Sequence, residues 1–276
     1  MASNEDIVRS RANPLFKRLR ALKQRGVRPE DDLCLLEGPK LVDEALAAGV
    51  TIAEVAAASG AEERPAVAAT LDALRARGVP VRRLAGNLVA ALSETESTQG
   101  LVALAHRPVF EEARLFDDTP LVLVAVGIQD PGNLGGLLRT AEAARATGAY
   151  LTEGCADPCS WKALRGSMGS AFRVPQVRGL PAGRVLDRLE ERGIPALAAT
   201  AEGETRYDEA DLATPVALVF GAEGAGLPAD ITRRTAARLR IPLAASVESL
   251  NVGVAAGLLL FEAARQRGFP RGRRGR

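Results

Sequence analysis

The chain alternates short apolar runs with stretches whose apolar residues recur every three or four positions. Continuous short runs read as buried strands, and the longer period reads as amphipathic helix. Residues 12–25 (ANPLFKRLRALKQR) place Leu15, Leu19 and Leu22 on one helical stripe with bases elsewhere. LCLLEG (33–38) follows as a strand, then PKLVDEALAAG (39–49) as a helix closed by Gly49. TIAEVAAAS (51–59) and VPVRRLA (79–85) are strand candidates flanking a helix over 65–78. A short helix over 86–93 and a strand over 100–108 complete a small α/β domain spanning 1–107.

Residues 108–119 (PVFEEARLFDDT) are acidic, carry no clear period and fit a linker. The alternation then resumes. Strands are expected at 121–127, 149–154, near 172–174, and at 195–200, 215–221 and 237–243. Helices are expected at 134–147, 160–168, 182–192, 228–236 and 249–266. Strands separated by crossover helices imply a parallel sheet buried on both faces. Ligands of such sheets sit beyond the carboxyl ends of the strands. Three turns marked by glycine or proline fall there: DPGNLGG (130–136), GAEGAGL (221–227) and IPLAASVESLNVG (241–253).

Charge sharpens the picture. The 276 residues carry a net charge of only +2, but the positive charge is clustered. Residues 9–28 hold eight Arg or Lys and no acid, among them Arg11, Lys17 and Arg18; residues 265–276 hold six Arg and no acid. Clusters of this kind read as contacts to a polyanion, and the Arg/Gly segment 267–276 reads as a basic tail. The cysteines are three (Cys34, Cys155, Cys159), and His106 is the only histidine. An odd cysteine count and the acidic Glu5 and Asp6 near the start fit a reducing compartment, the cytoplasm, without an organelle transit peptide. Too few ligands recur at useful spacing to expect a metal site. No apolar run reaches the roughly 18 residues of a membrane span.

Singly, each turn is weak. GAEGAG lacks the Lys-Ser/Thr of a phosphate-binding loop, so nucleoside triphosphate hydrolysis is not expected. DPGNLGG lacks the dinucleotide spacing, which argues against an NAD enzyme for small molecules. Together, however, the three segments resemble the SpoU (TrmH) family of RNA ribose 2′-O-methyltransferases within the SPOUT class. The family's N-x-G-x-x-x-R is matched by Asn133, Gly135 and Arg139. A second motif is matched by Phe220-Gly221-Ala-Glu223-Gly224-Ala-Gly226-Leu227, and a third by Ile241-Pro242 followed by Ser249-Leu250-Asn251-Val252. Gly253 stands where the family often has serine, and Glu248 where it often has a small or polar residue.

The resemblance implies an α/β fold in which a trefoil-knotted SPOUT methyltransferase domain with a parallel sheet (120–266) follows a small L30e-like α/β substrate-binding domain. It implies S-adenosylmethionine bent in the knot, with Gly221, Ile241, Leu250 and Thr200 lining its pocket. It further implies a homodimer, with the apolar last helix suited to the interface, and an RNA substrate, ribosomal RNA ahead of transfer RNA. Arg139, Asn133, Glu223, Ser249 and Asn251 match active-site positions, while Arg165 and Ser167 match a loop near the substrate. An arginine is a poor free base. Arg139 is therefore expected to grip a phosphate and stabilise the developing alkoxide, with direct proton removal left open. Local roles compete with these: turn chemistry for Asn133, helix capping for Glu223, Ser249 and Asn251. A non-catalytic RNA-binding or ribosome-assembly protein on the same fold is the alternative class.

Overall fold

The structure is a computed structural model that describes residues 7–25, 32–93, 98–244 and 246–269. Residues 26–28 of the basic arm and 270–276 of the Arg/Gly tail lie outside the described residues. The first elements are β1 (Ile7–Val8), α1 (Pro14–Arg25), β2 (Leu33–Glu37), α2 (Pro39–Ala47), β3 (Ile52–Ala58), α3 (Pro65–Arg75), β4 (Val81–Leu84), α4 (Gly86–Leu92) and β5 (Leu101–His106). Then come β6 (Leu121–Ala125), α5 (Pro131–Ala143), β7 (Gly148–Thr152), α6 (Trp161–Ser167), β8 (Gln176–Leu180) and α7 (Ala182–Glu190). The last are β9 (Ala196–Ala199), β10 (Thr205–Arg206), β11 (Val216–Phe220), α8 (Ala229–Arg233), β12 (Ala237–Arg240) and α9 (Val252–Gln266).

The chain forms two compact units. One comprises Met1–Pro108 with Cys159–Phe172, the other Val109–Pro158 with Arg173–Arg276. The first unit holds a five-stranded sheet in the order β1-β4-β3-β5-β2, with β5 antiparallel to both its neighbours. Helix α1 covers it with Phe16, Leu19 and Leu22, which pack among Leu84, Leu88, Leu92 and Leu104. Phe16 joins Leu19 and Leu22 as a wholly buried residue, while Leu15 is only half-buried.

The second unit holds seven strands, all parallel, in the order β10-β12-β9-β11-β6-β7-β8. Every residue of β6, β7 and β11 is buried, as expected where helices cover both faces of a parallel sheet. The order has a consequence for the site. Strands β12, β9, β11 and β6 are consecutive neighbours, so their carboxyl ends deliver four loops side by side.

Three expectations are corrected. The strand expected near 172–174 is β8, four residues later; Ser170–Phe172 is instead a 3-10 turn, wholly buried. Helix α5 begins at Pro131 rather than 134, because Asp130 caps it by accepting from Asn133 N at 2.8 Å and proline suits the first helical position. Within the stretch read as a linker, Glu112–Phe116 is a 3-10 turn. Leu115 there is fully buried and its carbonyl accepts from Thr147 Oγ1 at 2.6 Å, which ties the segment to the start of β7.

Candidate active site

Asn133 stands in the first turn of α5, which the Asp130 cap and Pro131 hold in place. Its side chain is therefore free of turn duties. Asn133 Nδ2 donates to Glu223 Oε2 at 2.8 Å, and Asn133 Oδ1 accepts from Asn251 Nδ2 at 3.2 Å. Asn251 Nδ2 also donates to Glu223 Oε1 at 2.5 Å, closing a triangle. Asn251 has a second task. Its Oδ1 accepts from Gly253 N at 2.9 Å and caps α9, so capping and site roles coexist in one side chain. Glu223, by contrast, caps no helix: α8 starts at Ala229 behind Pro228, and both Glu223 oxygens are taken by amides.

The turn that carries Glu223 folds back through a hydrogen bond from Gly226 N to Ala222 O at 2.8 Å. Gly224 and Gly226 adopt the left-handed conformation it needs. Gly221 is required for space instead. A Cβ there would stand 2.3 Å from Gly226 C and O, with no flexible side chain to yield.

A cleft of about 710 Å³ opens beside the triangle. Thr200, Gly221, Ile241 and Leu250 all line it, together with Leu239, Leu243, Glu223, Ser249 and Asn251. Strand ends explain the convergence: Thr200 follows β9, Gly221 follows β11 and Ile241 follows β12. Aliphatic side chains make one part of the wall, as a flat heterocycle needs. Thr200 Oγ1 is buried there with no hydrogen-bond partner among the described residues, so a ligand group can supply one. These features fit S-adenosylmethionine. Leu239 and Leu243 were not singled out in the sequence, although their place beside Ile241 in β12 and its loop would have found them.

Arg139 stands apart from the triangle. Six residues along α5 from Asn133, it points roughly 120° away from it around the helix and lies about 9 Å along it. It is exposed, and among the described residues it meets no carboxylate and makes no hydrogen bond. Ser249 is exposed and likewise unbonded among the described residues. Cys155, distant in sequence from the three turns, packs under the loop after β6: Sγ accepts from Ile128 N and donates to Ala125 O, each at 3.3 Å. Burial pushes its thiol pKa up, so it is held protonated and is a poor nucleophile.

The proposed RNA contacts divide. Arg11, Lys17 and Arg165 are exposed. Arg18 is exposed too, but its guanidinium is paired with Glu54. Ser167 is corrected: it is completely buried, and its hydroxyl donates to Leu164 O at 3.0 Å, which leaves nothing for RNA to reach. In the tail, Arg265 pairs with Glu262 but stays exposed, whereas Arg267 is half-buried against backbone carbonyls and serves the fold.

The chain belongs to the SpoU rRNA Methylase family, whose profile matches residues 120–261. Residues 13–103 match the MRM3-like substrate binding domain. An uncharacterized tRNA/rRNA methyltransferase of Synechocystis sp. is 36% identical over 94% of this chain and 93% of its own length. The 23S rRNA (guanosine(2553)-2'-O)-methyltransferase RlmP of Bacillus subtilis is 32% identical over 92% of this chain and 97% of its own. Among solved structures, the AdoMet-bound rRNA methyltransferase from Sinorhizobium meliloti superimposes with a TM-score of 0.81 at 32% identity, covering 94% of this chain and 97% of that one.

Proposed function

We propose that this protein transfers a methyl group from S-adenosylmethionine to a ribose 2′-hydroxyl of ribosomal RNA, with large-subunit RNA as the target. One observation carries the reading: Glu223, Ser249 and Asn251 line the same cleft as Thr200, Gly221, Ile241 and Leu250. The polar triangle thus opens onto the pocket that fits the cofactor. When bound, the cofactor supplies an electrophilic methyl on a sulfonium centre. Thr200 and the backbone at Gly221 and Ile241 would hold it, and Leu239, Leu243 and Leu250 would enclose its apolar part. The triangle fixes Asn133, Glu223 and Asn251 before substrate arrives, so little reorganisation remains at the moment of reaction. Arg139 grips the adjacent phosphate in a forked geometry and stabilises charge developing on the 2′-oxygen as the hydroxyl proton passes to solvent. The protonated Cys155 fits this assignment, since methylation of a base carbon normally needs a thiolate.

The first unit supplies affinity through Arg11, Lys17 and their neighbours on α1, and RNA binding then weakens steeply with salt. Val254, Leu258 and Phe261 form an exposed apolar stripe on α9 at a helical spacing, with Val254 52% exposed. A second copy covering that stripe gives a homodimer. The trefoil crossing of the loops at 221–227 and 241–251 belongs to the same reading. So does a cytoplasmic setting, which suits three free cysteines. Mapping 2′-O-methyl sites in total RNA from cells with and without the protein tests the function. The expected result is one ribosomal position lost without the protein. A lost transfer-RNA position, or a lost base methyl group, would reassign the substrate.

A further inference from the structure

Trp161 is the only tryptophan in the chain. It opens α6, and Arg165 follows four residues later on the same helical face. The Arg165 guanidinium lies over the indole with Cζ 4.6 Å from the ring centroid, within the range of cation–π attraction. The indole is pinned at its edge, where Nε1 donates to Glu37 Oε2 at 2.9 Å. The other oxygen of that carboxylate accepts from the Ser93 hydroxyl. Glu37 ends β2, so the ring is anchored to the sheet of its own unit. Arg165 itself is exposed, and among the described residues it meets no carboxylate. A solvated arginine ordinarily moves through many rotamers. Here the contact with the indole biases it toward the orientation over the ring, and the residue remains exposed to solvent.

We propose that the Trp161–Arg165 stack is a platform for a nucleobase. An unstacked base of single-stranded RNA lies on the outer face of the guanidinium, making a base–arginine–indole stack, and the Glu37 hydrogen bond keeps the platform level. The proposal rests on the RNA reading given above and adds the mode of recognition: a splayed base rather than a phosphate or a paired helix. Bases lifted out of a helix are recognised by stacking on aromatic rings and on guanidinium planes. A phosphate contact needs only the charge, which lysine also carries. A stack needs the plane, which lysine lacks.

The test uses the full-length protein and an oligoadenylate of about ten nucleotides, free and paired with oligouridylate. In the wild type the single strand binds more tightly than the duplex, and its binding quenches Trp161 emission. Arg165→Lys weakens single-strand binding roughly tenfold, as loss of one stacked base does, while the slope of affinity against salt stays unchanged. Equal binding by Arg165→Lys and wild type overturns the platform and makes Arg165 a phosphate contact or a bystander. So does unaltered Trp161 emission at saturation, or equal weakening toward strand and duplex. A wild-type protein that binds S-adenosylmethionine but neither RNA overturns the RNA reading itself.

Discussion

Arg139 and Arg267 are the same residue type in opposite states. The Arg267 guanidinium donates to the carbonyls of Leu212 and Thr119, both at 2.8 Å, Pro120 at 3.1 Å and Thr214 at 2.5 Å. Burial pushes its pKa below the usual arginine value, although it remains a cation at neutral pH. Arg139 is exposed and has none of these partners. The carboxylates repeat the contrast. Glu112 is engaged by Arg188 and Tyr150. Glu223 is held by two asparagine amides, and among the described residues no cation is within ion-pair distance. Arg267 and Glu112 have their hydrogen-bonding capacity taken up by the protein and hold the frame together. Arg139 and Glu223 keep a charge that no ion pair among the described residues offsets, which leaves it available to a substrate.

The contrast breaks first at Arg139 if it is wrong. Arg139→Ala should lower methyl transfer by about 10²–10³, the cost of removing one preorganised charge-stabilising group. Its effect on stability should stay within about 0.5 kcal/mol, since it is exposed and unpaired. Calorimetry should find S-adenosylmethionine bound as in the wild type. A variant that loses cofactor affinity, or unfolds, would place Arg139 with the structural group.

Glu223→Gln probes whether the triangle needs a carboxylate. Gln keeps the shape but offers one oxygen where two amide donors now point, so one donor meets another donor. Leaving one such group unpaired is worth about 1–3 kcal/mol when buried, and this one is exposed. A fall in kcat on the order of tenfold, with cofactor affinity retained, is expected in a steady-state assay. An unchanged kcat would mean that the triangle is only a resting arrangement.

Much of this was legible in the chain itself. The runs that became β6 and β11 are continuously apolar because both sheet faces are covered, and their ends are marked by glycine or proline. That pattern located the loops after β6, β11 and β12; the loop after β9, which brings Thr200 to the cleft, carries no such mark, and Thr200 came only from the family resemblance. The triangle was not legible as a triangle: residues 133, 223 and 251 are joined only by the strand order β12-β9-β11-β6, which sequence spacing does not encode. The burial of Ser167 was hidden for a different reason. Serine near a basic residue reads as polar surface, and only the packing of α6 shows that its hydroxyl turns back to Leu164. Arg267 misled in the same way, since an arginine beside a basic tail looks solvated until its carbonyl partners are seen.

Arg267→Ala is the converse of the Arg139 experiment. Four carbonyls lose their shared donor, and those at Leu212 and Pro120 are in part-buried surroundings. The loss should be about 1–3 kcal/mol, or roughly 2–4 °C in melting temperature per kcal/mol for a unit of this size. Activity per folded molecule should be unchanged well below the melting point. A variant with wild-type stability and impaired transfer would reverse the roles of the two arginines.

Glu112 gives the smallest effect and the one most confined in pH. Burial by itself would raise its carboxyl pKa. Hydrogen bonds from the Arg188 guanidinium and the Tyr150 hydroxyl, aided by the charges of Arg188 and Arg192, outweigh that and hold it below the usual carboxylate value. A carboxyl whose pKa is lowered by folding contributes stability above its unfolded pKa, about 4.3, and that contribution is lost as pH falls through the lower folded value. Tyr150 stays protonated throughout, because burial and the neighbouring carboxylate push the phenol pKa up. Glu112→Gln should therefore be less stable than the wild type at neutral pH by about 0.5–1 kcal/mol, the upper part of the range for a pair that solvent still partly screens. The two proteins should converge as the pH falls below the unfolded value and through the lower folded one, where the wild-type carboxyl takes up its proton. Thermal unfolding followed from neutral to acid pH measures the difference directly. Parallel curves that never converge would show that Glu112 acts through shape alone, and the charge half of the contrast with Glu223 would fall.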